Sequence, residues 1–467
     1  MFNKKKGEEQ GSIWVVKENI VKSPASLYYD KLDEALKEAK FGDRVRTISE
    51  PYYEKDRGQG GRAGIDPEVY FKMLIVGFFE NIGSERALAL RCTDSLAIRS
   101  FLKYDLTEQT PDHSSLSRIR TRLGEEVYKE AFAIILEALH KHKLLKGHDI
   151  GIDTSVIQAN ASMRTLKNNH TGESYDEYIK RIAKASGVDS ENKQAVRDFD
   201  RKRKDKTMSN KDWHNPHDPE AKIGPTKEGP IKMTYKVENT VDVETGAIIQ
   251  TQILPADQAD GQDMDQQIKQ AQKNINKAKG NKLSSRSIKK VTGDKGYYKI
   301  EQMGLLQKRG IKTVIHDPNV YRNIDKLPEE QAQIVKNAKR SVKSLYGKKI
   351  SRQRGQYVER SFTHQLDNGD LRKATLHGWL NIQKRNLIAG LGVNLSLLMR
   401  NIFGLGTPKQ TIAVISVLKM FYKLIFRLIR SITNGATELS HSIFNEISFL
   451  FFMSKLIKVN LLIKNNS

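Results

Sequence analysis

The sequence predicts an α/β protein in which a mixed β-sheet is flanked by helices and preceded by an all-α region. Two segments that alternate apolar and polar residues, 232–243 and 247–254, flank a turn and predict a β-hairpin. Farther along the chain, short apolar strands alternate with helical segments, which is typical of a sheet covered by helices. Before residue 145, apolar residues recur at helical spacing instead.

The length and composition limit the class of protein. With 467 residues the chain exceeds one ordinary core, so we expect several domains. A hydrophobic content of 38% and a charged content of 29% are typical of a soluble globular protein. The single cysteine, Cys92, excludes an internal disulfide and a cysteine-rich zinc site, and it fits a reducing cytosol. The formal net charge of +24 favours polyanionic partners such as nucleic acid.

The N-terminal third predicts short helices. After a weakly patterned segment over 1–60, Asp66 and Pro67 provide a cap and a first helical residue. A later helix carries Arg118 and Arg122 on its polar surface. We therefore predict a helical N-terminal domain over 61–145 that binds DNA in the manner of a helix-turn-helix protein. A plain helical domain with solvated arginines is the alternative.

The first strand of the sheet carries an acid. Ile150 and Ile152 alternate with small or polar residues, and Asp153 follows on the opposite face. Such an aspartate is either a satisfied structural residue or a ligand presented by the sheet. Residues 162–230 then break the strand pattern and predict an insertion, helical near 175–186 and otherwise loop. Within it, Trp213 either stacks on a base or joins a small local cluster.

A second acid follows a later strand. Ile288 and Val291 predict a short strand, and Gly293 and Gly296 bracket Asp294. Glycines in these positions favour a sharp turn that leaves the carboxylate at the rim of the sheet. A solvated aspartate in a surface turn is the alternative.

The order of these elements predicts how the strands pair. One strand, an insertion, a two-stranded hairpin and then two strands alternating with helices describe the ribonuclease-H-like arrangement, a mixed five-stranded sheet. In that arrangement the first and fourth strands are neighbours. We therefore expect Asp153 and Asp294 to lie side by side, although they are distant in the chain.

A third acid, Glu359, lies in a basic segment. Val358 and Phe362 are spaced to bury one helical face, and Glu359 is next to that face. Between residues 346 and 400 there are ten basic and three acidic residues. A carboxylate that serves metal chemistry on a phosphate chain requires such a field.

Several stretches in order now resemble the DDE transposases of bacterial insertion sequences, and the resemblance extends from about residue 61 to about residue 408. In the helical third the matching stretches are 66–74 (D-P-E-V-Y-F-K-M-L), 84–92 (S-E-R-A-L-A-L-R-C) and 111–118 (P-D-H-S-S-L-S-R). Beyond it they are 151–164 (G-I-D-T-S-V-I-Q-A-N-A-S-M-R), 209–213 (S-N-K-D-W), 218–223 (D-P-E-A-K-I), 245–247 (T-G-A), 255–257 (P-A-D), 293–297 (G-D-K-G-Y), 358–362 (V-E-R-S-F) and 384–388 (K-R-N-L-I).

This resemblance implies a ribonuclease-H-like catalytic domain over 146–405 in which Asp153, Asp294 and Glu359 are the catalytic, metal-binding acids. Carboxylates that converge on one point repel one another unless cations lie between them, and such oxygen ligands suit two Mg²⁺ or Mn²⁺ ions. The implied reaction is metal-dependent cleavage of DNA at the ends of the element and transfer of the 3′-hydroxyl to target DNA. The expected DNA contacts are Arg118, Arg122, Arg352, Arg354, Arg360, Lys373 and Trp379.

Alternatives remain for several of these residues and for the whole chain. Salt bridges to nearby acids are the alternative for the three arginines near Glu359, and core packing is the alternative for Trp379. A DNA-end-binding protein without catalysis, or a nuclease without strand transfer, are the alternative functions. We expect double-stranded DNA, comprising terminal inverted repeats and target, as the partner and a homodimer in the synaptic complex.

The C-terminal region departs from the resemblance. Over 406–467 we predict an amphipathic helical tail, because Lys419, Lys423 and Arg427 are spaced by four within an apolar stretch. Those charges argue against stable membrane insertion. The expected location is the bacterial cytoplasm, in association with the nucleoid.

Overall fold

The computed structural model describes residues 23–54, 64–204, 209–226, 229–319 and 321–433. The chain divides into two compact units, one over 30–406 and one that combines the residues up to Tyr29 with those from Thr407 onward. The rest of the tail predicted over 406–467 lies outside the described residues beyond Thr433.

Seven helices precede the sheet within the described residues 23–54 and 64–148. They are α1 (Pro24–Glu38), α2 (Phe41–Glu54), α3 (Pro67–Glu80), α4 (Glu85–Asp94), α5 (Leu96–Leu102), α6 (His113–Arg122) and α7 (Glu125–Lys141). The predicted cap of α3 is present, since the Asp66 side chain accepts from the Glu68 amide. The Asp112 side chain caps α6 in the same way by accepting from the Ser115 amide. The all-α character predicted for this region is confirmed.

Strands and helices then alternate. The strands are β1 (Asp149–Gln158), β2 (Lys167–Asn168), β3 (Trp213–His214), β4 (Lys222–Pro225), β5 (Ile231–Asp242), β6 (Ile248–Pro255), β7 (Lys290–Gly293) and β8 (Lys312–Ile315). The helices are α8 (Tyr175–Ala185), α9 (Lys193–Lys202), α10 (Met264–Ala278), α11 (Ile300–Lys308), α12 (Glu329–Lys343), α13 (Leu345–Phe362), α14 (Trp379–Phe403) and α15 (Pro408–Thr433).

The main sheet has the predicted strand order. β6, β5 and β1 pair antiparallel in succession, and β1, β7 and β8 pair parallel. This order, with the first strand in the centre and the fourth beside it, is the ribonuclease-H-like arrangement. The sheet has six strands instead of five, because β4 pairs with residues 231–234 of β5 beyond the end of β6.

The insertion is more ordered than its composition predicts. In addition to β4 it contains α8 and α9, which enclose a small core of Ile179, Ala183 and Val196. Trp213 is 6% exposed, and its ring lies 5.7 Å from that of Tyr175 and 5.3 Å from that of Tyr178. These contacts favour the local-cluster interpretation of Trp213.

Helix α14 protects the outer edge of β6. The Asn394 side chain accepts from the Ile248 amide and donates to its carbonyl, and the Gln383 side chain accepts from the Ile253 amide. An uncovered edge strand would expose unpaired backbone groups. Helix α13 packs instead across β1, β5 and β7, where it covers the part of the sheet that carries the predicted acids.

Candidate active site

Asp153 and Asp294 are brought together by the pairing of β1 with β7. The parallel register places Gly151 beside Thr292. Continued by two residues along each chain, this register brings Asp153 next to Asp294 just beyond the end of the ladder, close enough for the charge of Asp294 to act on the pKa of Asp153. The sheet therefore juxtaposes two carboxylates that are 141 residues apart in sequence.

Asp294 is fixed by the turn that follows β7. Its Oδ1 accepts from the Gly296 amide at 2.9 Å and from the Tyr297 amide at 3.3 Å, so it caps a short 3₁₀ helix over Lys295–Tyr297. Neither Gly293 nor Gly296 has a positive φ. Close approach explains them instead, because a Cβ on Gly293 would lie 3.0 Å from the Tyr297 Cβ, and one on Gly296 would lie 3.1 Å from Asp294 Oδ1.

Asp153 has both carboxylate oxygens engaged. Its Oδ2 accepts from Arg354 Nη1 and its Oδ1 accepts from the Thr154 amide, each at 2.8 Å. Burial raises the pKa of Asp153 to about 6, although the Arg354 charge and the Thr154 amide act to lower it. The charge of Asp294 raises the pKa of Asp153 further, as expected for neighbouring carboxylates.

Helix α13 reaches Asp153 because β1 lacks a side chain at one position. A Cβ on Gly151 would lie 2.7 Å from Val358 Cγ2 and 3.2 Å from Arg354 Cγ, so only glycine allows α13 to approach this closely. Arg354 and Val358 are one helical turn apart and form the face that contacts β1. The side chain of Arg354 is 19% exposed and that of Asp153 is 20% exposed, so their ion pair is shielded from water.

Glu359 follows Val358 on the same helix but is exposed to solvent. Across the described ranges, no group of three or more histidine, cysteine, aspartate or glutamate side chains is arranged to hold a metal ion. The structure therefore joins the first two predicted acids and leaves the third on the covering helix. The two joined carboxylates are the oxygen donors that Mg²⁺ prefers, and their mutual repulsion is what a dication would relieve.

Sequence reasoning missed a further acid at this site. Asp260 Oδ1 accepts from Thr154 Oγ1 at 3.0 Å and from Lys236 Nζ at 2.9 Å. Its Oδ2 lies 3.5 Å from the position that a Cβ on Gly296 would occupy, which places it beside the Asp294 turn. The P-A-D stretch at 255–257, one of those that carry the resemblance, lies three residues before Asp260, but its Asp257 is exposed and Asp260 was not predicted as a site residue.

Glu238 is a second missed acid, and it is 4% exposed on β5. Burial raises its pKa to about 7, although hydrogen bonds from the Tyr297 hydroxyl at 2.9 Å and from Gln252 at 2.9 Å lower it. Glu238 is paired with Thr154 across the β1–β5 ladder. It therefore links the tyrosine of the G-D-K-G-Y stretch to the strand that carries Asp153.

The predicted DNA contacts fall into two groups. Arg118, Arg122, Arg352, Arg360 and Lys373 are exposed; Arg122 lies 4.9 Å over the Tyr53 ring, and Arg360 lies 6.0 Å from the Tyr357 ring.

Trp379 and Arg354 are committed to contacts within the protein. The Trp379 indole donates to the Ile253 carbonyl at 2.8 Å, and Arg354 is paired with Asp153. The contact of Trp379 with β6 favours the core-packing interpretation of this residue. The ion pair of Arg354 favours the alternative interpretation of that residue, a salt bridge to a nearby acid.

Comparisons with known proteins agree with this architecture. Residues 22–122 match the family described as "Transposase domain (DUF772)", and residues 205–395 match the "Transposase DDE domain" family. Together the two matches span more than half of the chain. The second match contains Asp294 and Glu359 but begins after Asp153. No curated protein matches the chain.

A solved structure with some similarity is the piggyBac transposase synaptic complex with hairpin DNA. It is 11% identical and has a TM-score of 0.35, covering 92% of this chain and 86% of that one. An identity and a TM-score this low establish neither a shared fold nor a shared function. The two family matches, together with the strand order and the acids it joins, define the class: the chain belongs to the DDE transposases, and it is an enzyme of that family. The family generally uses divalent metal ions.

Among the described residues, the range Trp379–Arg427, which comprises α14 and most of α15, contains a segment long and apolar enough to cross a membrane by length and composition alone. Of its most apolar window, 67% is buried inside the structure, as in the core helix of a soluble fold.

Proposed function

We propose that the protein cleaves DNA strands at the ends of a mobile element of the bacterial insertion-sequence type and joins the resulting 3′-hydroxyls to target DNA. In the first step water attacks phosphorus, the bond to the 3′ oxygen breaks and a 3′-hydroxyl is released. In the second step that hydroxyl attacks a target phosphodiester, forms a new P–O bond and displaces the 3′ oxygen of the target strand. The observation that carries the proposal is the juxtaposition of Asp153 and Asp294 just beyond the end of the β1–β7 ladder, beneath the helix that bears Glu359.

Asp153, Asp294 and Glu359 are the residues that would hold two Mg²⁺ or Mn²⁺ ions. Ions bound there would polarise the scissile phosphate and lower the pKa of the attacking hydroxyl. The chain itself orients these carboxylates, by Arg354 at Asp153 and by backbone amides at Asp294. For the set of three to close, the Glu359 side chain has to turn towards the sheet and Arg354 has to release one oxygen of Asp153.

The basic residues around the acids would bind the DNA backbone. Arg352 and Arg360 are exposed on the helix that bears Glu359, and Lys373 is exposed at a β-bridge with Gln158, the last residue of β1. Released from Asp153, Arg354 would bind a phosphate of the scissile strand. Trp379 would contact DNA only if its hydrogen bond to β6 opened.

The helical region over 61–145 would bind the terminal repeats, with Arg118 and Arg122 on its exposed surface, and 146–405 would form the catalytic domain. Double-stranded DNA, as terminal repeats and as target, is the proposed partner. Two ends must be held together for transposition, which favours a homodimer in the synaptic complex. We place the protein in the cytoplasm, at the nucleoid.

The test combines the protein, its flanking terminal repeats and Mg²⁺. Asp294→Asn should lower cleavage by several kcal/mol of transition-state stabilisation, about a thousandfold or more, while binding of the ends survives. Asp325→Asn, which alters an exposed aspartate of a surface loop, is the matched control and should cut normally. Full activity of Asp294→Asn would contradict the proposal.

The products distinguish the alternative functions. Binding without any cleavage by the wild-type protein supports a DNA-end-binding protein. Cleavage without joined products supports a nuclease that does not transfer strands.

A further inference from the structure

A second basic surface lies away from the acids, on α12 and the first half of α13. Residues 331–358 contain no aspartate or glutamate. We call the following side chains the basic ridge: Lys336, Lys339, Arg340, Lys343, Lys348 and Lys349. All are exposed except Lys339, which is half-buried.

The ridge cations differ from neighbouring lysines in having no acidic partner. In the described part of the chain, no side chain of the ridge forms an ion pair. By contrast, Lys308 on α11 pairs with Glu330 at 2.8 Å, and Lys269 on α10 pairs with Asp265 at 2.6 Å. Ridge cations recur three or four residues apart on α12, a spacing at which like charges repel, so a bound polyanion would stabilise the ridge.

A cavity of about 660 Å³ opens at the ridge. Three cations line it: Lys290 and Lys312, which begin β7 and β8, and Arg340 of the ridge. Lys290 also lies 3.7 Å from the buried Asp149 and 3.5 Å over the Tyr346 ring. Asp149 is thus neutralised, and Lys312 and Arg340 are available to an anion.

The cavity and the proposed catalytic acids are connected by one rigid element. Gly347, at the start of α13, lines the cavity, and Glu359 is twelve residues farther along the same helix. At 1.5 Å per residue the separation is about 18 Å, which corresponds to about five nucleotides of one DNA strand. Lys290 and Asp294 likewise mark opposite ends of β7.

We propose that the basic ridge and its cavity bind the DNA backbone about five nucleotides from the cleaved bond, at a site separate from the catalytic acids. This assignment rests on the proposed function only in taking DNA as the substrate. Phosphate contacts carry no sequence information, so the ridge holds and orients the strand regardless of its sequence.

Salt-dependent binding tests the ridge, with a random-sequence duplex of about 30 base pairs as the probe, since backbone contacts are sequence-independent. Arg340→Gln/Lys343→Gln should reduce the slope of log affinity against log salt by about two and weaken binding at least tenfold at about 0.15 M salt. The matched control, Lys269→Gln/Lys308→Gln, removes the same charge from paired lysines and should change the slope by less than about half a unit. All four positions are exposed, so folding is retained.

The outcomes separate this inference from the proposed function. If the wild-type protein binds DNA and Arg340→Gln/Lys343→Gln has the same salt slope, the ridge does not bind the DNA backbone and the inference is wrong. If the wild-type protein cuts no DNA but the salt slope of Arg340→Gln/Lys343→Gln is still reduced, the proposed reaction is wrong and DNA binding by the ridge is supported. Saturation of the cavity by inorganic phosphate or a mononucleotide, with no effect on duplex binding, assigns it to a small anion and overturns the DNA assignment.

Tethered cleavage tests the spacing. The native Cys92 is fully buried, so an iron chelate can be attached selectively at Lys348→Cys or at Arg360→Cys. The two probes should cut bound DNA at centres about five nucleotides apart along one strand. Coincident cutting centres would show that the DNA does not follow α13 and would overturn the placement.

Discussion

Positive charge is used in opposite ways by the N-terminal helices and by the basic ridge. In the N-terminal helices many of the cations have acidic partners: Lys72 with Asp33 and Glu68, Arg44 with Glu130 and Glu137, Arg46 with Asp66, and Arg120 with Glu85. On the ridge the cations lack such partners among the described residues. The net charge of +24 therefore describes two populations: cations that stabilise the fold, and cations left available to a polyanion.

The strongest test of this contrast is Lys72. Its side chain is 2% exposed, and its ammonium lies 2.6 Å from Asp33 and 2.8 Å from Glu68. Lys72→Met keeps most of the volume but removes the buried cation that bridges the two carboxylates, each of which keeps a more exposed cation, Lys37 at Asp33 and Arg46 at Glu68. The free energy of unfolding should therefore fall by about 2–4 kcal/mol. Chemical denaturation followed by circular dichroism measures this.

The paired control is Lys343→Met on the ridge. It should change the free energy of unfolding by no more than about 0.5 kcal/mol, because its side chain is exposed and unpaired. DNA affinity should respond in the reverse order, falling for Lys343→Met and remaining unchanged for folded Lys72→Met. Equal effects of the two variants on stability would break the comparison.

A smaller effect is expected from pH at Asp33. Burial raises the pKa of this carboxyl, but hydrogen bonds from Lys37 and Lys72 outweigh it, so the folded pKa is below the usual value of 3.8. A depressed pKa contributes stability that is present above the unfolded pKa and is lost as the pH falls through the folded pKa. Asp33→Asn should therefore destabilise the protein by about 2 kcal/mol at neutral pH and by progressively less below about pH 4.

Urea unfolding at neutral and at acidic pH compares Asp33→Asn with wild type. Asp325→Asn serves as control, since it alters an exposed aspartate and should give parallel curves at both pH values. A difference that grows on acidification would contradict the depressed pKa of Asp33.

Local sequence patterns were sufficient to predict most of the fold. Period-two alternation identified β1, β5 and β6, and the order of elements predicted that β1 and β7 are neighbours, which the parallel register confirms. Strand β4 was missed because it is four residues long and itself contains Gly224 and Pro225, so it has no periodicity of its own. It exists because it pairs with the end of β5.

Contacts between distant residues account for what the sequence could not predict at the site. The ion pair of Arg354 with Asp153 joins residues 201 positions apart. The helical spacing of Val358 and Phe362 correctly predicted a buried face. The exposure of Glu359 depends on the rotation of α13 about its axis, which is set by its close approach to Gly151. Local periodicity does not contain that information.

Trp379 provides the finest test of the same distinction, because it is a predicted DNA contact whose polar atom is used within the fold. Its indole N–H donates to the carbonyl of Ile253, on the edge strand β6, at 2.8 Å. The amide of Ile253 donates to the Gln383 side chain. Trp379→Phe removes this one hydrogen bond and keeps an aromatic ring, so the free energy of unfolding should fall by about 1 kcal/mol.

Binding of DNA by Trp379→Phe should remain within about twofold of wild type, because the residue stabilises the fold and a phenyl ring would still stack on a base if one were present. Trp379→Leu separates these two roles. If the tryptophan serves only packing, the leucine variant lowers stability further and still binds DNA normally once folded. If DNA affinity falls sharply for Trp379→Leu but not for Trp379→Phe, the aromatic ring at this position contacts a base. Trp379 is then a DNA contact like the exposed cations, and its role is not limited to packing.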